Sequence, residues 1–561
     1  MKLHTLVLTA ILAAGPSFAA ETAAPVSPAA LARWQDARFG MFIHWGPVSL
    51  KGTEIGWSRG AEVPIAEYDT LYQKFNPTQF NADAWVAVAK AAGMKYLVLT
   101  TKHHDGFCLW NTRQTDYNIM KSPFGRDVVK ELAAACKKGG IGFGTYYSTT
   151  DWHHPDFPLT SPGGNVVREK SNLDAYTEYL KAQTKELLTQ YGPLFTLWYD
   201  VPQRFDAARG QSVINMARAI QPDIVINNRT GASGDYDTPE QSIGGFRLDR
   251  PWETCMTLCN QWAWKPNDPM KSLEQCLHTL IRTNGGNGNL LFNVGPMPTG
   301  EIEARQVERL KEMGAWLSTR GESLYGTRGG PWKPTPDLTS TRKGDTIYLH
   351  LLRRTEGPVK LKALPIAIRS AKILNGPKIK TAHSEGILTL EIPNNSWDPI
   401  DTIVALTVAG SAMDLAPLSA IPAGPPGLIT PDMKASASVI YQNNPIYAAS
   451  RAIDGDPETR WATPEGTREA SLQIDLLQPK TLARIEIDEA FAEPASRVRK
   501  FELQQKEGDS WVTFHTGTAL GTHFQASFTP VTTREIRLRI LDASDGPTLT
   551  EVRLFSPGKT P

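Results

Sequence analysis

Cysteine is scarce in this 561-residue chain: there are five, and all precede residue 277. An odd, sparse set is not a disulfide framework. Cys255 and Cys259 have no second pair at zinc-binding spacing, so a structural zinc has no support. Blocks of one charge are missing too. Lysine and arginine total 59 against 58 acids, with no basic stripe for nucleic acid and no acidic arm. Beyond the first twenty residues there is no long apolar run, so no membrane span is expected. No G-x-G-x-x-G follows a strand pattern, which removes the argument for dinucleotide binding. The one leading apolar run, 6–14, has Lys2 before it and Ser17-Phe18-Ala19 after it. Residues 1–20 therefore read as a secretory signal, and the protein is expected to be exported, periplasmic or extracellular.

What is present exceeds one domain. With roughly 150 residues per domain the length suggests three or four, and 41% hydrophobic residues can fill large cores. A Pro/Ala-rich tether at 23–30 leads into a region, 31–332, where short apolar runs alternate with amphipathic helical patterns. The runs lie at 39–46, 96–103, 142–148, 194–200, 224–229, 251–258 and 289–296. Strand alternating with helix predicts a parallel α/β fold, and seven countable strands predict a (β/α)8-like barrel with one irregular or missing element. A doubly wound open sheet is the alternative. Residues 334–412 then alternate like antiparallel strands and predict a β-sandwich. A Pro/Gly-rich linker follows at 413–432, with Pro422, Pro425, Pro426 and Gly427. Residues 433–557 are all-β again.

In the first region polar residues collect where strands stop. The run LFTLWYD ends in Asp200, and Val201-Pro202 follow it with the next helix only near Asp206, so a helix-capping role fits poorly. His44, then His103 and His104 beside Asp105, then Tyr147 and Arg229 also sit at run ends. A barrel brings such ends to one face. Twelve of the fifteen tryptophans precede Lys333, and an aromatic wall with a few fixed polar groups suits a sugar ring. Three readings compete. A metal-dependent hydrolase has imidazoles in His44, His103, His104, His153 and His154, but no paired H-x-H. A carbohydrate-binding protein without catalysis is the second. A glycosidase is the third, and needs two carboxylates flanking one bond. Asp200 is the candidate nucleophile. Glu240, in a Gly/Asp/Ser-rich stretch, and Glu253, inside an apolar run, are candidates for the acid.

FGMFIHWG (39–46), TKHHDGF (101–107), LWYD (197–200) and the pair GNGNLLFNVGP and GEI (286–302) resemble the retaining α-L-fucosidases of glycoside hydrolase family twenty-nine. The resemblance runs from about residue 31 to 327 and continues more weakly through the β-sandwich. It implies removal of terminal α-L-fucose from fucosylated oligosaccharides or glycoconjugates, through a covalent intermediate on Asp200 and without a catalytic cofactor. It also implies fucose contacts by His44, His103, His104, Tyr147, Trp198 and Arg229, with Trp264 on the pocket wall. Many members have adjacent Glu-Trp after the first motif. Here the segment is TEIGWSRG, so Gly56 precedes Trp57 and the nearest acid is Glu54; Glu54 and Trp57 are both carried as sugar contacts. This form is more similar to members that cut α-1,3 and α-1,4 fucose from branched Lewis-type glycans. Spacing from the nucleophile favours Glu240 as the acid/base, with Glu253 in reserve. The alternatives are a non-catalytic fucose- or galactose-binding lectin, or a barrel glycosidase for another sugar.

The last region resembles something as well. ASRAIDGDPETRWAT (449–463) and a closing LTEVRLF (549–555) are similar to discoidin, or coagulation-factor 5/8 type C, domains, the fold of many carbohydrate-binding modules. That resemblance implies a structural calcium held by Asp454, Asp456, Thr459 and Glu551; a turn held only by side-chain hydrogen bonds is the alternative. Tyr441, Tyr447 and His523 are the loop residues available to touch a sugar.

Overall fold

The computed structural model describes residues 25–161, 167–355, 357–384, 386–420, 428–429, 433–454, 459–492 and 495–557. The expected signal segment, the proline-rich stretch of the linker and Asp456 lie outside the described residues. The chain divides into two units, Met1–Ala420 and Ile421–Pro561.

The first unit begins with α1 (Pro28–Ala37), β1 (Phe39–Ile43), α2 (Ile65–Tyr68), α3 (Ala82–Ala91) and β2 (Tyr96–Lys102). It continues with α4 (Val128–Gly139), β3 (Gly142–Ser148), α5 (Leu173–Gln190), β4 (Thr196–Asp200), α6 (Ala207–Ile220) and β5 (Val225–Ile226), then β6 (Glu253–Thr257), α7 (Leu273–Gly285), β7 (Asn289–Val294) and α8 (Ala304–Arg320). The expected tether is partly wrong: Pro28 opens α1 and the Ser27 side chain caps it, a placement proline favours because the first helical N–H has no partner anyway. Asn81, Asp127, Asn172 and Asp206 cap the next long helices, and Ser272 with Gln275 forms a full capping box on α7. These polar starts stopped each helix near where its apolar periodicity begins.

The seven strands pair in parallel in the order β5-β4-β3-β2-β1-β7-β6. The irregular eighth stave is the segment 235–241. Asn227 bridges Tyr236 on one side of it, while Asp237 bridges Trp252 and Glu240 bridges Cys255 on the other, all in parallel. Backbone bonds from Asp235 N to Ile226 O (2.7 Å), from Cys255 N to Pro239 O (3.1 Å) and from Gln241 N to Cys255 O (3.0 Å) complete it. The ring therefore closes between β5 and β6, and the segment that closes it carries Glu240.

Strand parity sorts the side chains. Phe42, Tyr96, Val98, Tyr146, Trp198, Tyr236, Cys255 and Leu291 pack together inside the barrel. Their strand neighbours Met41, Ile43, Leu97, Leu99, Tyr147, Leu197 and Tyr199 face the helical layer. A register shift between Thr100 and Lys102 breaks the alternation in β2, as a bulge does. Lys102 is thereby turned outward onto the Tyr147 ring, at 4.4 Å.

The remainder of this unit is antiparallel. β8 (Arg328–Gly329), β9 (Leu338–Lys343), β10 (Thr346–Leu351), β12 (Ile368–Ile373) and β15 (Thr402–Val408) form one sheet in the order β12-β15-β10-β9-β8. A second sheet runs β11 (Val359–Lys362), β14 (Ile387–Glu391), β13 (Lys380–Ser384). Ile347, Leu349, Leu361, Leu388, Val404 and Trp332 fill the space between them.

The second unit holds β16 (Lys434–Ala437), β17 (Trp461–Ala462), β18 (Ala470–Glu489), β19 (Val498–Glu507), β20 (Ser510–Gly517), β21 (Phe524–Ala543) and β22 (Thr548–Phe555). They are antiparallel in the order β17-β22-β18-β21-β19-β20, with β16 on β18. Register breaks in β18 let its first half pair with β16 and its second half with β22, which folds one long ribbon into a sandwich. Trp461, Leu472, Ile485, Phe501, Leu538 and Leu554 form its separate core. No helix among the described residues is long and apolar enough to cross a membrane.

Candidate active site

At the carboxyl ends of the barrel strands a pocket is lined by Phe42, His44, Trp57, His103, His104, Tyr146, Trp198, Asp200, Val201, Arg229, Glu240, Cys255 and Trp262. Parity explains most of the set. Asp200 lies two residues after the inward Trp198, and His44 two after the inward Phe42, so both point into the ring. His103 and His104 reach the pocket together because β2 has already ended at Lys102.

Asp200 is 8% exposed. Its Oδ1 accepts a hydrogen bond from Arg229 Nη1 (2.7 Å) and its Oδ2 one from the Tyr146 hydroxyl (2.7 Å). Burial alone raises its proton affinity, but the Arg229 charge and the bonds from Arg229 and Tyr146 outweigh it and hold the carboxyl below its ordinary value. The same Arg229 Nη1 donates to Glu240 Oε2 at 2.8 Å. The two contact distances together cap the separation of those carboxylate oxygens at about 5.5 Å. Glu240 is the outer member of the pair, its side chain 42% exposed. The Arg229 guanidinium also lies over the Trp198 ring at 5.0 Å. Behind Asp200 the backbone is strained: Val201 has φ 44°, costly for a β-branched residue. The Thr149 and Thr150 hydroxyls hold it there by donating to Val201 O at 2.8 and 2.6 Å.

The imidazoles are buried and held neutral. Burial pushes His44 down to about 3 and His104 to about 4, and drives His103 far below the usual range. His103 stacks on the Tyr146 ring at 5.4 Å. Trp57 stands at the rim, 40% exposed, edge-on to His104 and Trp152. Gly56 is required where it stands: its φ is +66°, and a Cβ there would lie 2.7 Å from His103 Nδ1.

A sequence-family model described as Alpha-L-fucosidase matches residues 7–322, more than half of the chain. The chain belongs to the α-L-fucosidase family. It is a glycoside hydrolase, and a second family model, F5/8 type C domain, matches residues 433–552. Plasma alpha-L-fucosidase of Homo sapiens is 31% identical over 364 residues, covering 58% of this chain and 76% of that protein. The solved structure of alpha-L-fucosidase isoenzyme 1 from Paenibacillus thiaminolyticus is 33% identical with a TM-score of 0.63, covering 67% of this chain and 98% of its own. The alpha-L-fucosidase from Vibrio sp. strain EJY3 is alike in fold over 95% of this chain and 98% of its own, with a TM-score of 0.69 at 24% identity. Both resemblances read from the motifs, and the barrel with its following β-sandwich and discoidin-like module, are borne out. Catalysis in this family uses no cofactor.

Within the fucosidase, several expected sugar contacts are displaced by a residue or two. Tyr147 is not in the pocket; it faces the helices, donating to Gln183 Oε1 at 2.7 Å. Its neighbour Tyr146 takes the inward position, because adjacent strand residues point to opposite faces. Trp264 does not line the pocket either; Trp262 does, its ring 4.8 Å from that of His44. Glu54 lies behind that wall. Its carboxylate accepts from the backbone N–H groups of Ile55 (3.0 Å), Trp262 (2.8 Å) and Ala263 (2.9 Å), so it binds protein rather than facing the sugar. Glu253 begins β6 at the closed end of the barrel interior, fully buried, accepting from Trp198 Nε1 (3.1 Å) and the Tyr96 hydroxyl. It lies outside the pocket lining, which leaves Glu240 as the carboxylate beside Asp200. Phe42, Tyr146, Val201, Cys255 and Trp262 line the pocket without having been expected as sugar contacts. The W-x-W and TYYS motifs held two of them, two residues and one residue from the positions expected.

All five cysteines are free and buried. In the second unit two of the described calcium candidates, Asp454 and Thr459, share a turn. Thr459 donates to Asp454 at 2.8 Å, and the Arg451 guanidinium lies 3.3 Å from the same carboxylate. A resident guanidinium disfavours a second cation on Asp454, and Glu551 is buried in β22. Among the described residues no three His, Cys, Asp or Glu side chains converge as a metal set. The described residues thus do not show the expected calcium site, one member of which, Asp456, lies outside them.

Proposed function

We propose that this α-L-fucosidase acts with retention, Asp200 as nucleophile and Glu240 as acid and then base. The observation that carries the reading is the single guanidinium nitrogen, Arg229 Nη1, held between the two carboxylates. The two oxygens it holds lie at most about 5.5 Å apart, which favours the roughly 5–5.5 Å spacing of retaining glycosidases over the wider spacing of an inverting pair. Asp200 is kept ionised by Arg229 and Tyr146 and attacks the anomeric carbon. Protonated Glu240 releases Arg229 and gives its proton to the departing glycosidic oxygen. It then takes a proton from water as that water attacks the fucosyl–Asp200 ester, restoring both carboxyls. Phe42, Trp198 and Trp262 supply an apolar wall for the C6 methyl of fucose, where the extra hydroxyl of galactose is buried unpaired. The half-exposed Trp57 and Glu240 at the rim, with the TEIGWSRG form of the Trp57 segment, support α-1,3/1,4-linked branched fucose as the substrate. The F5/8 type C module carries carbohydrate affinity that keeps the enzyme on glycans, and residues 1–20 direct export.

The test is hydrolysis of 4-nitrophenyl α-L-fucoside and of a Lewis-type trisaccharide. Glu240→Ala is expected to lose about 10²–10⁴-fold on the trisaccharide, less on the activated aryl glycoside, and to yield α-fucosyl azide when azide is added. Asp200→Ala with azide is expected to give the β-azide. Unimpaired trisaccharide cleavage by Glu240→Ala rejects the acid/base assignment. A wild type that binds fucose but cleaves neither substrate brings the lectin reading forward.

A further inference from the structure

We infer that the fucosidase fixes two pocket histidines, His44 and His104, as one-way hydrogen-bond acceptors, through Asn293 and Ser148 acting as positioning residues behind them. Each chain of hydrogen bonds ends on a backbone carbonyl, which only accepts, and that end sets the direction of every bond before it.

The first chain starts at Trp262 O. Asn293 Nδ2 donates to it at 2.7 Å, so the amide oxygen of Asn293 faces the other way. That oxygen lies 2.6 Å from His44 Nδ1. An amide oxygen cannot donate, so Nδ1 carries the proton, and neutral His44 has a bare Nε2. The anchor is itself anchored: Trp262 N donates to Glu54 Oε2 at 2.8 Å. Both ends of the Trp262 residue are thus pinned, N–H by Glu54 and C=O by Asn293. This accounts for a glutamate kept beside the pocket without lining it.

The second chain starts at Thr150 O, which accepts from Ser148 Oγ at 2.6 Å. The one hydroxyl proton of Ser148 is spent there, so Oγ accepts from His104 Nδ1 at 2.7 Å. His104 Nε2 is then bare as well. It is buried with no hydrogen-bond partner among the described residues and lies 3.8 Å from Asp200 Oδ2. Two acceptors that close call for a donor between them. A sugar hydroxyl supplies one, and an imidazole whose other nitrogen is already committed cannot swap roles. The pocket is therefore tuned to hydroxyls that donate, and rejects analogues with hydrogen or fluorine in their place. This inference rests on the pocket being the fucose site.

Nitrogen-15 spectra of the full-length free enzyme, labelled at histidine, read the tautomers without any turnover. The expected result is a protonated Nδ1 and a bare Nε2 for His44 and His104, assigned by the signals that move in Asn293→Leu and Ser148→Ala. A protonated Nε2 on either ring in the wild type overturns the proposal, even if both variants fail to fold. The kinetic arm compares 4-nitrophenyl α-L-fucoside with its monodeoxy analogues. Ser148→Ala is expected to raise KM about tenfold, one neutral hydrogen bond, with kcat within about twofold, and to lose that much discrimination against one deoxy analogue. Ser148→Thr, which keeps the hydroxyl, is expected to restore it. Wild-type discrimination in Ser148→Ala also overturns the proposal. Failure of the site reading looks different: Asp200→Ala then retains turnover, whatever the imidazole spectrum.

Discussion

Glu253 is an acid with no cation paired to it among the described residues. It is fully buried, and its side-chain hydrogen bonds come from neutral donors, Trp198 Nε1 and the Tyr96 and Tyr236 hydroxyls. Burial pushes its carboxyl up from 4.5 to about 7. Below the lower value both the folded and unfolded chains are protonated, and Glu253 has no pH effect. Between the two values the folded chain keeps a proton that the unfolded chain has lost, so stability falls as pH rises. At about 1.4 kcal/mol per pH unit the loss reaches about 3 kcal/mol near pH 7 and is then constant. Glu253→Gln keeps an acceptor for Trp198 and carries no charge. It is expected to match the wild type at pH 4.5 and to be the more stable protein at pH 8, by about 3 kcal/mol in denaturant titrations. Parallel pH trends in the two proteins would remove Glu253 as the cause. Asp200, also buried, shows the opposite outcome, because Arg229 reaches it.

Among the elements, β2 decides how the site is built. Its register shift between Thr100 and Lys102 sends one charge outward and two imidazoles inward. The outward Lys102 is wholly buried and pairs with buried Asp151 at 3.0 Å, whose other oxygen accepts from His153 and His154 N–H groups. Removing one member of such a pair strands the other, at a cost of about 3–5 kcal/mol. Lys102→Met is thus expected to lower the unfolding free energy by that amount, and Lys102→Met with Asp151→Asn to recover part of it. An unchanged denaturation midpoint in the single variant would show the pair contributes nothing. This bulge also marks where the sequence stops being legible. Helices were readable because the 3.6-residue period and polar caps such as Asn172 and Ser272 survive in one chain. Strands buried on both faces carry no polar/apolar alternation, so nothing in TYYS says whether Tyr146 or Tyr147 faces inward. W-x-W is ambiguous for a related reason: Trp262 and Trp264 lie on a non-strand segment whose facing is set by Glu54 and Asn293, more than thirty residues away at the nearer end. The stave 235–241 reads as loop because it is rich in Asp and Pro, and only its neighbours β5 and β6 make it part of the ring. Asp200, Arg229, His44 and His103 were legible because strand ends in a barrel converge whatever the parity of one neighbour.

At the scale of the whole molecule, the two units keep separate cores. Every buried member of the last core lies between Met433 and Leu554, and the barrel and sandwich cores end by Ala420. The first unit is also stitched shut within the expected linker 413–432, whose residues up to Ala420 belong to the sandwich instead. Leu418 N donates to Pro331 O (2.8 Å), Leu418 O accepts from Lys333 N (2.9 Å), and Ala420 O accepts from Lys362 N (3.3 Å). A chain ending at Ala420 therefore loses no core residue of the barrel or of the sandwich, and the pocket around Asp200 is made wholly from residues 42–262. A module that only tethers changes the local concentration of substrate and leaves the chemical step alone. The truncated enzyme is accordingly expected to hydrolyse 4-nitrophenyl α-L-fucoside with kcat/KM within about twofold of the full chain, since a soluble monosaccharide glycoside gains nothing from tethering. On an insoluble or surface-bound fucosylated glycan its rate at low enzyme concentration is expected to fall by about 10²-fold, the lower end of what a second linked binding site adds. Raising the enzyme concentration should close that gap, because tethering is lost as an advantage once the surface is saturated. Equal rates on the surface-bound glycan at every concentration would mean that the module binds something other than the substrate's own scaffold. A fall on the small fucoside as large as that on the glycan would mean that the second unit supports the barrel itself.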